Sequence, residues 1–227
     1  MVATIALDGP AASGKSTVGE KLAEHLGYLF FDTGVMYRAV TLAAIEAGIA
    51  PEDEEACTRL AERTQIDVRP PTRDDGRLND ILIDGVDKTW DIRTPNVDAH
   101  VSVVSAYPGV RQALTEKQRQ IGQRGNVVMV GRDIGTVVMA EAPLKVFLDA
   151  SVEERARRRF LERVDRGEAP DYQEVLEMLR QRDEIDSNRD VAPLRPAEDA
   201  IVIDSDSMSI DQVFEKILQF VAEKGLA

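Results

Sequence analysis

The chain has 227 residues, with 28 basic against 41 acidic side chains and a net charge of −13. That balance excludes a general nucleic-acid binder working through a basic face. Anionic small molecules stay open, because they answer to the local field. One cysteine, Cys57, excludes an intrachain disulfide and a cysteine zinc cluster. No apolar run approaches the roughly 18 residues of a membrane span. The N-terminus has no basic stretch ahead of an apolar one, so no secretory leader is expected. With the lone cysteine, this points to a reducing cytoplasm.

In chain order, Val2 to Leu7 is a short apolar run that reads as a buried parallel strand. Gly9-Pro10-Ala11-Ala12-Ser13-Gly14-Lys15-Ser16-Thr17 follows and fits the G-x-x-x-x-G-K-[ST] phosphate-binding loop. Val18, Leu22 and Leu26 then recur at helical spacing. Strand, Gly-rich turn and helix form the context this motif requires. The glycines let backbone N–H groups turn inward around a phosphate, and the helix adds free donors and the positive end of its dipole. Lys15 supplies a point charge for terminal phosphate oxygens, and the Ser16 hydroxyl suits Mg²⁺.

Tyr28 to Phe31 reads as a second strand, ending at Asp32-Thr33-Gly34. A helix carries Met36-Tyr37-Arg38 towards Gly48, with Met36, Val40, Ala43 and Ala47 on one face, and Pro51 opens another that runs to about Thr64. Cys57 within it is a packing or surface residue. Residues 66 to 93 change character: Ile66-Asp67-Val68 alternates, a proline, aspartate and glycine cluster makes a turn, and Asp84-Gly85 signals a hairpin. A small antiparallel sheet is expected there, to one side of the main domain and with Trp90 in a small core. Thr94-Pro95 starts helices over about 95–106 and 108–123. Val127 to Val130 and Lys145 to Leu148 are the third and fourth buried strands, and Gly131-Arg132-Asp133 follows the third.

Ser151-Val152-Glu153-Glu154 is a capping box opening an arginine-rich helix, and Asp171 opens another reaching about Ser187. Ten arginines lie between Arg155 and Arg195, interspersed with acids, so some are surface residues and some face the loop. Ile201 to Ile203 is the fifth strand, and a last helix turns Val213, Ile217, Phe220 and Val221 inward. His25 and His100 have no partner pattern and read as structural. The fold class is therefore α/β: a five-stranded, doubly wound parallel sheet with a small β insert. Ligands of such sheets bind beyond the strand C-terminal ends. That rule gathers the loop, Asp32-Thr33-Gly34, Gly131-Arg132-Asp133 and the turn after Leu148.

No Asn-Lys-x-Asp guanine-reading signature occurs, which argues against a GTPase switch. Beyond the loop, the chain resembles the bacterial cytidylate kinases, a family of P-loop nucleoside monophosphate kinases. The residues that carry this are Leu7-Asp8-Gly9-Pro10 with Ser13 to Thr17, Asp32 to Arg38, Gly131 to Val138, Phe147 to Ser151, Glu153 to Ala156, Arg182-Asp183, and Asp186, Arg189 and Val191 to Leu194. Two departures are visible: Thr33 where many members carry serine, and Ser16 where relatives often have glycine. The resemblance implies transfer of the ATP γ-phosphate to CMP or dCMP by a Mg²⁺-dependent, cytoplasmic and monomeric enzyme.

It also implies site residues. Gly9 to Thr17 (Gly9, Pro10, Ala11, Ala12, Ser13, Gly14, Lys15, Ser16, Thr17) would hold ATP, with Lys15 on the transferred phosphate and Ser16 near Mg²⁺. Thr33, Tyr37 and Arg38 would line the monophosphate site, with Arg38 and Arg132 on its phosphate. Ser102, Arg111 and Asp133 would read cytosine, although Asp133 also stands where a metal-site carboxylate would, and Tyr37 would equally serve as packing. Arg182, Asp186 and Arg189 would close over the acceptor, with Asp186 on the ribose. Arg155, Arg158 and Arg159 would sit in a lid over the polyphosphate. The implied divisions are a core of 1–33, 107–150 and 188–227, an acceptor domain of 34–106 with its insert near 66–93, and a lid of 151–187. The alternatives are a kinase of another small acceptor, such as UMP, AMP or shikimate, and a protein that hydrolyses ATP slowly as a switch.

Overall fold

Five apolar segments become the strands of one parallel sheet in the computed structural model, which describes residues 3–226. The expected strand start at Val2 lies outside them. The strands are β1 (Thr4–Asp8), β2 (Leu29–Asp32), β6 (Val127–Gly131), β7 (Leu144–Asp149) and β8 (Ile201–Asp204). Their order is β2-β6-β1-β7-β8, with every neighbouring pair parallel. Because β1 is central, the loop that follows it opens into the crevice where the chain switches direction, the place such sheets bind ligands.

Alternation along the strands divides the core between two faces. Ile5, Leu7, Val128 and Val130 pack on one face with α1 (Lys15–Leu26) and α8 (Ile210–Glu223). Ala6, Phe31, Val127 and Met129 pack on the other, against α2 (Gly34–Glu46), α4 (Pro95–Ala106) and α5 (Pro108–Gly122). A third, smaller cluster joins Ala11 of the loop to α6 (Val152–Asp165) and α7 (Tyr172–Asn188). Cys57 is a buried packing residue of α3 (Glu54–Arg63).

The insert is a three-stranded antiparallel sheet, β3 (Ile66–Arg69), β4 (Asp80–Ile83) and β5 (Val86–Asp87). Its hairpin turns on Asp84 and Gly85, with φ of 49° and 82°, the two left-handed residues of a type I′ turn. Val68, Ile81 and Ile83 belong to the same core cluster as Met36 and Val97, so the insert stands at one side of the domain yet shares its core. Asn79 Nδ2 also donates to the Phe30 carbonyl on edge strand β2, at 3.0 Å.

Several sequence expectations need correction. Trp90 is not in a small core but about half exposed (47%). Its indole N–H reaches the Asp75 carboxylate at 3.1 Å, the same carboxylate that the buried Arg77 holds. Arg77 holds Asp75, Asp80 and Asp87, each at 2.8 Å. The inward face of α2 includes Ala39 and Ala44, while Ala47 is exposed because the helix stops at Glu46. α3 starts at Glu54, where the Asp53 side chain caps the Ala56 N–H, and Pro51 lies in the preceding turn. α8 buries Phe214 with Val213, Ile217 and Val221, leaving Phe220 only partly covered.

Candidate active site

The loop from Gly9 to Lys15 leaves β1 through a glycine that no side chain can replace. Gly9 has φ +153°, and a Cβ there would stand 2.1 Å from the Leu148 carbonyl oxygen, so only glycine lets the chain leave β1 this close to β7. The N-terminus of α1 has no side-chain cap, so its N–H donors stay open to an anion. Ser13 Oγ is buried without a hydrogen-bond partner among the described residues. Lys15 is buried, and its Nζ donates to the Pro10 carbonyl at 2.8 Å. Burial, and then the Arg132 charge, hold its ammonium well below the ordinary lysine value. A ligand bringing negative charge to this loop relieves both penalties.

Two carboxylates at strand ends frame the loop, and the sequence reading gave neither a role. Asp32 closes β2 and accepts from Ser16 Oγ at 3.0 Å and from the Gly34 N–H at 2.9 Å. Asp8 closes β1 and accepts from the Ile134 and Gly135 N–H groups, both at 2.8 Å. Those two donors open the single π-helical turn Ile134–Val138, just after Asp133. Burial raises the Asp8 acid to about 6; the two N–H bonds oppose the rise, Asp133 adds to it and Lys15 opposes it. The signal for both was a carboxylate at the C-terminal end of an otherwise apolar strand.

On the other side of β1 lies a chain of alternating charges. Arg111, buried on α5, donates from Nη2 to Asp133 Oδ2 at 2.6 Å and from Nη1 to the Ser105 carbonyl at 3.1 Å. Its guanidinium also lies over the Tyr37 ring, 5.3 Å from the centroid. Arg189 stands 3.7 Å from the other Asp133 oxygen and donates to Asp186 at 3.3 Å. Arg132 Nε donates to Asp186 at 2.9 Å. Burial pushes the Asp186 carboxyl up, but Arg132 and Arg182 with their neighbours hold it below the ordinary value. Arg182 has no hydrogen bond or ion pair among the described residues; burial, and then Arg132, press its guanidinium down to about 10.

The structure thus brings Arg111, Arg132, Asp133, Asp186 and Arg189 into one network, with Tyr37 beneath it. Thr33 is buried and donates its hydroxyl to the Val130 carbonyl at 3.0 Å, pinning the ends of β2 and β6. Arg38 is held by the Ile92 carbonyl at 3.1 Å and by Asp98 at 2.6 Å. Ser102 stands one helical turn from the network, its carbonyl taking the Ser105 hydroxyl at 3.0 Å. Gln118, absent from the sequence reading, is buried with neither amide atom partnered among the described residues. It lies seven positions after Arg111, on the same face of α5.

The arginines of α6 have protein partners. Arg155 is buried and ties the loop to α7, donating to the Ala11 carbonyl at 3.2 Å and to Asp183 at 2.5 Å. Arg158 reaches the Ser13 carbonyl at 3.3 Å and the Ser205 carbonyl at 2.6 Å, gripping the loop from beside β8. Arg159 pairs with Glu162 at 2.8 Å.

Comparison with known proteins places this arrangement. The family model for cytidylate kinase matches residues 5–223. A protein named cytidylate kinase from Roseiflexus castenholzii is 51% identical over 221 residues, covering 97% of this chain and 94% of that protein. One of the same name from Bacillus subtilis is 46% identical over 222 residues, covering 98% and 97%. The structure titled as shikimate kinase from Bacteroides thetaiotaomicron superposes with a TM-score of 0.50 at 13% identity, covering 98% of this chain and 99% of that one, a likeness of fold alone. The match runs from the second residue of β1 to the end of α8, and on that ground the chain belongs to the cytidylate kinase family.

Proposed function

We propose that the chain transfers the γ-phosphate of ATP to CMP or dCMP, giving ADP and CDP or dCDP. The observation that carries this reading is the buried Arg111–Asp133 pair. A carboxylate and a guanidinium held side by side offer acceptor and donors to one base edge, and a base lacking the complement leaves a buried polar group unpaired. Asp133 follows β6, the strand beside β1, so the pair and the loop share one edge of the sheet, which supports an acceptor held near the donor phosphates. Lys15 takes the transferred phosphate, Arg38 and Arg132 take the acceptor phosphate, and Asp186 takes the ribose. Thr33, Tyr37, Ser102, Arg182 and Arg189 complete the acceptor site. Gly9 to Thr17 hold ATP.

The Ser16 hydroxyl and the Asp32 carboxylate form a pair of hard oxygens 3.0 Å apart at the end of the loop, and that donor set fits Mg²⁺. No group of three or more metal-ligating side chains gathers among the described residues, which suits an ion that takes most of its ligands from phosphates and water. When bound, Mg²⁺ supplies charge neutralisation between the β- and γ-phosphates. Arg155 and Arg158 hold the loop around the ATP phosphates, and Arg159 turns to the polyphosphate when the lid closes. Residues 34–106 serve the acceptor and 151–187 the lid, with the remainder as core. The enzyme works as a monomer in the cytoplasm, since one chain supplies both substrate sites and its only cysteine is free and buried. Among the described residues no helix is long and apolar enough to cross a membrane.

The test is ADP release with Mg-ATP and a panel of CMP, dCMP, UMP, AMP and shikimate. CMP and dCMP should stimulate strongly. Stimulation by another acceptor alone, or by none, overturns the reading.

A further inference from the structure

Arg93 is a cation that none of these roles uses. It ends the short 3₁₀ turn Asp91–Arg93 that leads into α4. Its guanidinium lies 5.8 Å from the centroid of the Trp90 ring, and it makes no hydrogen bond or ion pair among the described residues. The preceding carbonyl, that of Ile92, is the one that Arg38 grips at 3.1 Å. The two arginines therefore issue from one corner of the acceptor side. The charged groups around Arg93 are Arg38 and the lid's Arg166, both cations, with Asp32 and Asp98. Each of those carboxylates is already engaged, Asp32 by Ser16 and Gly34 and Asp98 by Arg38. Arg93 thus lies among two cations and two carboxylates already engaged elsewhere, and its one direct side-chain contact among the described residues is the face of Trp90.

Resting on the reading of a monophosphate acceptor, we infer that Arg93 is a further ligand of the acceptor's phosphate. It leaves the Trp90 ring and, with Arg38, takes the non-bridging oxygens of the phosphate monoester. Its planar fork suits that group, and two guanidiniums from one corner clamp it. Arg93 then separates a nucleoside monophosphate from the bare nucleoside, which carries the same base and sugar.

Trp90 is the sole tryptophan of the chain, so its emission reports whether Arg93 moves. The full chain is titrated with CMP, cytidine and inorganic phosphate while this emission is followed, and CMP binding is measured separately by calorimetry. CMP should change the emission saturably, and cytidine at equal occupancy should not. In Arg93→Gln, CMP should bind about tenfold more weakly or worse, with no emission change. The KM for CMP should rise in parallel while the KM for ATP stays within about twofold, and Arg93→Lys should recover part of the loss. A variant whose Kd and KM for CMP match the wild type overturns the role of Arg93, as does cytidine that shifts the emission as fully as CMP. Wild-type chain that releases ADP with no monophosphate overturns the function reading instead, so the two failures are distinct.

Discussion

Lys15 illustrates how much of the site is set before any substrate arrives. Its ammonium is buried, has one carbonyl partner, and sits near Arg132, so its charge is costly until phosphate oxygens offset it. Lys15→Ala should lower kcat by about a hundredfold or more, as the loss of one preorganised electrostatic contact does. The melting temperature should hold or rise, because a desolvated charge has been removed. Steady-state kinetics and a thermal melt check both halves. Asp133→Asn should raise the KM for CMP by about tenfold or more with little change in the KM for ATP, since the amide loses the charge and one of the two acceptor oxygens that face Arg111 and Arg189. Equal damage to both substrates would mark Asp133 as serving the metal instead. Lys15 and Ser16 were legible because the loop motif fixes their spacing. The resemblance carried Arg111 and Asp133, yet their 2.6 Å contact joins residues 22 positions apart and no periodicity announces it. Gln118 and Arg93 escaped because a polar residue on a helix face or turn carries no signal until its neighbours are known.

At the scale of elements, the joint between β1 and the π-helical turn is the part most exposed to test. Asp8 holds its proton up to about 6 when folded, against an ordinary 3.8. Between those values the folded chain binds more protons than the unfolded one, so this group's contribution to stability falls as pH rises and is fully lost above about pH 6. Asn at this position cannot ionise and escapes the loss, at a constant cost of one acceptor. From about pH 4 to pH 6, the stability of Asp8→Asn relative to wild type should therefore improve by up to about 3 kcal/mol. Urea denaturation at several pH values measures it, and the difference between the two chains cancels the other carboxylates. Strand and helix placement was legible from apolar runs, capping residues and prolines, as with Ser151 and Thr94-Pro95. What stayed hidden were the couplings between elements, such as Asp8 with Ile134 across 126 positions.

For the whole molecule, the insert buries Val68, Ile81 and Ile83 as apolar strands should, but sets a buried arginine rather than Trp90 among its acids. Arg77 is buried and enclosed by Asp75, Asp80 and Asp87, while Trp90 stays half exposed with its indole N–H on Asp75. An isolated arginine amid scattered aspartates gives no hint in sequence of such convergence, whereas a tryptophan ordinarily seeks cover. Arg77→Met leaves three carboxylates facing one another. Residues 66–93 should then exchange backbone amides faster, with β1 and β6 still protected, as hydrogen exchange can read. The KM for CMP should rise because Arg38 leans on Ile92 and Asp98 just beyond the insert. The bond from Asp8 into the turn after Asp133 has an evolutionary reach as well. It makes the base of the phosphate-binding loop and the turn after β6 a single welded part, spanning only the ends of two neighbouring strands. If the proposed roles hold, changes of length in residues 66–93 or 151–187 should leave the alignment of the two phosphates intact. A designer seeking a new acceptor should rebuild 34–106 and leave the weld untouched.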